Sequence, residues 1–436
     1  MTANKRVLAA SAAIAVAAGF TPAAEAQTAR GALNQVSGAE SNFARDRNIS
    51  VRQRPHEGYE ALGLRLGTFM AYPKVSVTAE HNDNIYGVAT NETDDLIWRV
   101  QPEISLNSGW SRHALQARAR ASINRYQDNG SEDTDDYTVG ASGRLDVSRA
   151  TQIAAGADWS RMTEPRTSSS TPQASTAPIQ YDLASANVGL SHEFNRLRVS
   201  GRYDIREYDY EDGRTAAGTP IEQDDRDRKV HAVTARADYA VSPATALFVE
   251  VSRNWREYDL TPPAVALTRD SEGTQALVGA NFELGALVRG EVGVGYITQE
   301  YDDPRFDELE GLGARAQVEW FPTQLTTVSL TGSRTVEDSG IPGSSGYLST
   351  NVGAQVDHEL MRNIILTGQA SYGQDEYEGV DRDDDRLNLG VSGTYLLNRY
   401  AGLTVAYSYF DQSSGGADGG NDFKVNKLGA TLTLQF

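Results

Sequence analysis

The sequence predicts an all-β fold, a transmembrane antiparallel up-and-down β-barrel of about eighteen strands, with sixteen as the alternative count. Three observations carry this reading. Apolar and polar residues alternate with a period of two through one segment after another, which marks strands with two unlike faces. Short turn-forming stretches and long acid-rich stretches take turns between those segments, the pattern of a barrel with tight turns at one rim and long loops at the other. The final segment, Lys427–Phe436, is itself such a strand and stops on an aromatic residue.

In that segment Leu428, Ala430, Leu432, Leu434 and Phe436 share one face, and Lys427, Gly429, Thr431, Thr433 and Gln435 share the other. As the edge of a soluble sandwich it would expose a row of unpaired backbone groups beside a terminal phenylalanine. An open edge in lipid is worse still, so the first strand must meet the last. A strand closing on a terminal Phe resembles the endings of Gram-negative outer-membrane barrels. That resemblance implies outer-membrane lipid as the surroundings and Leu432, Leu434 and Phe436 as the signal read by the barrel assembly machinery.

The N-terminus points to export. Lys5 and Arg6, the apolar run from Val7 to Phe20, Pro22 and the small-residue site Ala24-Glu25-Ala26 predict a signal peptide over 1–26, cut after Ala26. Elsewhere the 436 residues contain no run of about eighteen apolar side chains, which excludes a helical membrane protein. Zero cysteines leave nothing to carry a lipid anchor or a disulfide framework. With 59 acidic against 40 basic residues and a net charge of -19, nucleic acid is excluded as a partner.

Residues 27–61 are polar and aperiodic and are expected to form a periplasmic extension, with the barrel over 62–436. Four elements then follow in order: Arg52-Gln53-Arg54-Pro55, the run Gly63-Leu64-Arg65-Leu66-Gly67-Thr68-Phe69, Pro73, and Asp83-Asn84-Ile85-Tyr86. They resemble the β-barrel porin-2 family of outer-membrane proteins. Because members are often encoded among exopolysaccharide genes, the resemblance implies a conduit for polysaccharide export, with periplasmic export proteins as partners for the extension. Two other readings stay open: a general diffusion porin for small polar solutes, and a non-conducting surface anchor or receptor.

Tight turns are expected near Ser108–Arg112, Ser148–Thr151, Asn195-Arg196, Ser242-Pro243, Leu284-Gly285, Pro322-Thr323, Met361–Asn363 and Asn398–Tyr400. At the opposite strand ends a motif recurs, Glu207-Tyr208-Asp209, Glu257-Tyr258-Asp259, Glu300-Tyr301-Asp302 and Glu376-Tyr377-Glu378, each opening a longer acidic loop. On the apolar faces, Tyr239, Trp320 and Tyr395 sit beside turns while Trp159, Tyr203, Tyr296, Tyr372 and Tyr407 sit beside loops, forming two interfacial girdles.

The polar faces define a lumen set. Arg118, Arg120, Arg144, Arg198, Arg202, Arg236 and Arg315, with Asp146, Asp158, Asp204, Asp238, Glu250, Glu291 and Glu319, are expected to point inward, where charge requires water or partners. They serve either to contact a polar solute or to stiffen the wall as cross-strand pairs. A diffusion porin would also constrict its lumen with an inserted loop, for which Thr163–Gln180, rich in Ser, Thr and Pro, and Glu211–Arg228 are the candidates. The six histidines show no metal-ligand spacing and no Gly-x-Ser-x-Gly elbow occurs, so neither catalysis nor a cofactor is expected. Acid-rich segments such as Asp381–Arg386 admit a calcium reading, but their spacing fits no EF-hand and a solvated loop is the plainer account.

Overall fold

Alternating strands satisfy their backbone groups in lipid only when the sheet closes on itself. The computed structural model describes residues 49–259 and 268–436, so the expected signal peptide and the first part of the extension lie outside the described residues. Eighteen long strands follow in chain order: β1 Phe69–Asn82, β2 Asp95–Ser108, β3 Ala114–Tyr126, β4 Thr134–Asp146, β5 Thr151–Thr163, β6 Gln180–Phe194, β7 Leu197–Tyr210, β8 Arg228–Ser242 and β9 Thr245–Tyr258. The second half comprises β10 Ser271–Leu284, β11 Val288–Tyr301, β12 Leu309–Thr323, β13 Thr326–Asp338, β14 Gly346–Met361, β15 Ile364–Glu378, β16 Asp383–Asn398, β17 Ala401–Gly415 and β18 Phe423–Gln435. Each pairs antiparallel with the next, and β18 returns to β1 with Leu432 opposite Val77 and Leu434 opposite Val75. The barrel is closed, with eighteen strands and not sixteen.

The first strand begins before Pro73, since Phe69–Pro73 already pairs with β2. The chain before it turns back on itself. Gly67 takes a φ of 64°, a conformation that glycine adopts without a Cβ clash, and Leu64–Leu66 forms a short hairpin with Phe69–Ala71.

The outer wall is apolar in a way no aqueous surface tolerates. Val139, Leu190, Val278, Val391 and Leu428 are each more than half exposed. Tyr239, Trp320 and Tyr395 ring the turn side, and Trp159, Tyr203, Tyr296, Tyr372 and Tyr407 ring the loop side, all exposed. Among the described residues no helix is long and apolar enough to cross a membrane; the crossing is made by strands.

The cross-section is not uniform, since the sector from β8 to β13 bends tightly enough for side chains several strands apart to touch. Glycines make the bend possible. A Cβ on Gly279 would lie 2.1 Å from the Val292 carbonyl oxygen, and one on Gly295 would lie 1.8 Å from that of Ala276. Near the loop rim the β12–β13 ladder stops at Ala314 opposite Arg334. A buried cluster of Ile297, Leu309, Val336 and Leu348 packs in this part of the wall.

Closure ties the chain's end into the seam: the Phe436 amide donates to the Pro73 carbonyl at 3.2 Å, and the Phe436 ring packs 5.8 Å from that of Tyr400. Deleting Phe436 is expected to leave the protein in the periplasm. Heat-modifiability in an outer-membrane fraction measures this, and a deletion variant assembled at wild-type level would contradict it.

Candidate functional site

The candidate site is the barrel interior, a cavity of about 2760 Å³ lined by residues from Met70 on β1 round to Gln412 on β17. Alternation brings polar side chains to it from nearly every strand. The expected lumen residues all lie on this inner face, but they divide into two kinds.

Most are paired. Arg118 reaches Asp158 at 2.6 Å, Arg144 reaches Asp146 at 3.1 Å and Arg202 reaches Asp204 at 2.6 Å, while Glu319 is held by Arg289. On the curled sector a five-residue network forms. Arg236 contacts Asp238 and Glu291 at 2.7 Å each and Glu250 at 3.3 Å, and Arg315 contacts Glu250 at 3.0 Å and Glu291 at 2.9 Å. The Arg236 guanidinium also lies 3.9 Å from the centre of the Phe248 ring, a cation–π contact that fixes it against the wall. By contrast, Arg120 and Arg198 make no ion pair among the described residues; Arg198 lines the cavity and Arg120 stands opposite Glu103 in register.

A second polar knot sits at the loop rim. Asp338 on β13 receives Arg228 of β8 at 3.0 Å, Arg256 of β9 at 2.6 Å and the Tyr258 hydroxyl at 3.1 Å. Tyr258 belongs to the repeated Glu-Tyr-Asp motif. Its relatives do similar work: Tyr208 stacks under Arg228 at 4.1 Å, and Tyr377 donates from its hydroxyl to Ser169 Oγ at 2.8 Å. The motif therefore supplies an inward tyrosine just below the loops, beyond its role as a loop opener.

Tyr377 in this way reaches the loop between β5 and β6, residues 164–179, which folds over the interior; Thr167 to Ser170 line the cavity. Its anchors come from around the rim. Arg166 donates twice to Glu132 of the β3–β4 loop, at 2.7 and 2.9 Å, and once to the Ser175 carbonyl at 3.0 Å. Glu164 accepts from Arg226 of the β7–β8 loop at 2.7 and 3.1 Å, and Arg226 stacks on Tyr210 at 4.0 Å. The Gly340 amide of the β13–β14 loop donates to Ser170 Oγ at 3.1 Å. Both ion pairs are almost fully buried, where loss of one partner costs about 3–5 kcal/mol. Residues 164–179 thus form a lid held in one position. Beside it, burial raises the Asp227 carboxyl to about 6, although the Tyr210 amide donates to it; nearby Asp209, Asp224 and Asp259 add to the rise.

The sequence singled out this loop by its Ser, Thr and Pro content, and beside it the Glu211–Arg228 stretch that carries Arg226, but it gave no role to Glu132, Glu164, Arg166 or Arg226. Those four lie in three successive loops of one rim, and the ion pairs join one loop to the next across 34 and 62 residues of chain, leaving no local pattern. Among the described residues no group of three or more His, Asp or Glu side chains is placed to hold a metal ion.

A closed barrel with an apolar outer band, a charged interior and a loop folded across one mouth has the architecture of an outer-membrane channel. A family model described as putative beta-barrel porin 2 matches residues 57–436. The chain belongs to that family, and its place is the outer membrane. No curated protein matches it. Among solved structures it is similar to Pseudomonas aeruginosa OccK2 (OpdF), at 11% identity over 85% of this chain and 99% of that one, with a TM-score of 0.45. It is also similar to Acinetobacter baumannii OccAB4, at 12% identity over 88% and 100%, with a TM-score of 0.44. A third is a mutant ferric enterobactin receptor (PfeA) from Pseudomonas aeruginosa, at 7% identity over 86% and 82%, with a TM-score of 0.44. At these values the likeness carries nothing about function, and the barrel rests on its own strand pairing.

The two kinds of lumen arginine should respond differently to loss of their charge. Arg120→Gln with Arg198→Gln is expected to shift ion selectivity toward cations in planar bilayers with thermal stability unchanged, because neither holds an ion pair and Glu in their place would face Glu103, Glu193 and Asp238 in register. Arg315→Glu would set three carboxylates together and cost about 2 kcal/mol, a figure already discounted for the partial exposure of Arg315. Equal stability loss in both variants would contradict the division.

Proposed function

We propose that the protein is a passive channel of the outer membrane through which small polar solutes diffuse, with the lid over 164–179 as its size filter. The lid is the observation that carries this reading, because an inserted loop is what separates a diffusion porin from a wide polymer conduit. The charged wall supports it: a solute crossing the lumen exchanges water for paired Arg and Glu side chains and for the free guanidinium groups of Arg120 and Arg198. No chemistry at a substrate bond is invoked. Delivery through a signal peptide cut after Ala26 and insertion by the barrel assembly machinery through Leu432, Leu434 and Phe436 complete the proposal.

Polysaccharide export rested on the family resemblance alone, and nothing in the fold supports it. A growing polymer entering from the periplasm would meet the segment 49–58 at the near mouth and the lid at the far one. The anchor reading needs a filled lumen, whereas the wall encloses a large polar cavity.

Liposome swelling with neutral sugars of graded size tests the proposal. Monosaccharides are expected to enter and longer oligosaccharides to be excluded, and the paired change Arg166→Ala with Arg226→Ala is expected to raise the size limit by releasing the lid. Failure of every sugar to enter, in both forms, would overturn the channel; an unchanged limit would remove the lid's role as filter.

A further inference from the structure

The turn-side mouth carries a second element across the lumen, built from the segment the sequence assigned to a periplasmic extension. Residues 49–58 are held by the inner wall. The Gln53 and Arg54 amides both donate to the Ser50 carbonyl, at 3.0 and 2.9 Å, closing a tight turn. That turn seats Val51, which is fully buried and whose amide donates to Thr327 Oγ1 of β13 at 3.0 Å.

Three contacts follow the inner wall. Arg54 pairs with Glu359 of β14 at 3.0 Å and also reaches the Gln324 carbonyl. Arg52 donates to Gln355 at 3.4 Å and lies 3.7 Å from Asp357. Gln53 accepts from Arg289 of β11 at 3.0 Å. At its other end the segment is moored to the barrel seam: the Tyr59 carbonyl accepts from Gln435 at 3.3 Å, and the Gly63 amide donates to the Phe436 carbonyl at 3.1 Å. It therefore spans from β18 to β11, with Ser50, Arg52, Gln53 and His56 facing the cavity.

The two mouths are closed by unlike means. The lid's ion pairs are buried on both sides, so salt does not reach them. In the strap, Arg52 is about half exposed while its partner Asp357 is buried, and Arg54 is partly exposed. Glu359 is buried too, so each pair joins an accessible guanidinium to a buried carboxylate, and salt weakens it less than an open surface pair but more than the lid's pairs. Nor does the strap belong to the strand ladder; it can leave without opening the sheet. We infer that residues 49–58 are a releasable strap that occludes part of the periplasmic mouth, an autoinhibitory contact set by the Arg52 and Arg54 pairs, whereas the lid is fixed. Its effect on current rests on the channel reading above; its release does not.

Two readouts on the full-length exported protein separate these. The chain has no native cysteine, so a Ser50→Cys variant reports the strap through its labelling rate with a water-soluble maleimide. Labelling is expected to rise from about 0.1 M to about 1 M salt, as the screening length falls from about 10 Å to about 3 Å, and to be fast at both when Arg52→Glu and Arg54→Glu are added. In planar bilayers the same double change is expected to raise unitary conductance at low salt. A Val51→Cys with Thr327→Cys crosslink should hold conductance low at every salt concentration until reductant is added. Labelling that ignores both salt and the arginine changes overturns the strap's release, whatever the current. Salt-dependent labelling with conductance unmoved by the crosslink overturns its occluding role. Absence of current from every form, with labelling as expected, counts against the channel and leaves the release standing.

Discussion

Every feature of this protein depends on one constraint: inside a membrane each backbone N–H and C=O must be paired within the protein. An eighteen-stranded sheet meets it only by joining its first strand to its last, and the pairing of Phe69–Asn82 with Phe423–Gln435 does so. Closure forces the rest. With an edge-free sheet in lipid, a side chain has only two places to go, and a charge on the outer face at mid-depth costs about 2–4 kcal/mol. The arginines therefore point inward, and the interior becomes a polar compartment because no other surface can hold them.

Within that compartment, pairing and curvature act together. Where the wall bends between β8 and β13, Arg236, Arg315, Glu250 and Glu291 come close enough to neutralise one another, and Asp338 gathers two arginines and a tyrosine. Outside that sector Arg118, Arg144 and Arg202 each hold a nearby aspartate, while Arg198 makes no ion pair among the described residues. The same side-chain chemistry is thus structural at most positions and available to a solute at a few.

Much of the fold was legible in the sequence because a period of two is a local property. The two faces of Lys427–Phe436, both girdles and the eight turns follow from neighbours a few residues apart, and a one-residue slip would have inverted every face. The terminal strand also declared its own role. What stayed hidden is what depends on distance. Arg166 meets Glu132 and Arg226 meets Glu164 across neighbouring loops that the strand pairing sets side by side on one rim. The tyrosines of the Glu-Tyr-Asp repeat gave a clear pattern but not its purpose, since their partners Arg228, Asp338 and Ser169 lie on other elements. The segment around Arg52 and Arg54 looked like an aperiodic extension because its partners, Gln355, Asp357 and Glu359, lie some three hundred residues later and carry no complementary motif.

The central claim is a closed wall with lipid on one side and water on the other. Scanning single cysteines along the strands of the assembled protein, with a membrane-impermeant thiol reagent applied to detergent-free outer-membrane vesicles opened to both sides, tests it most directly. Reaction is expected at Ser200, Thr234, Ser371 and Ser392, and none at their neighbours Val199, Val233, Tyr372 and Val391. A pattern without that period, or one with the reactive set reversed, would contradict the account.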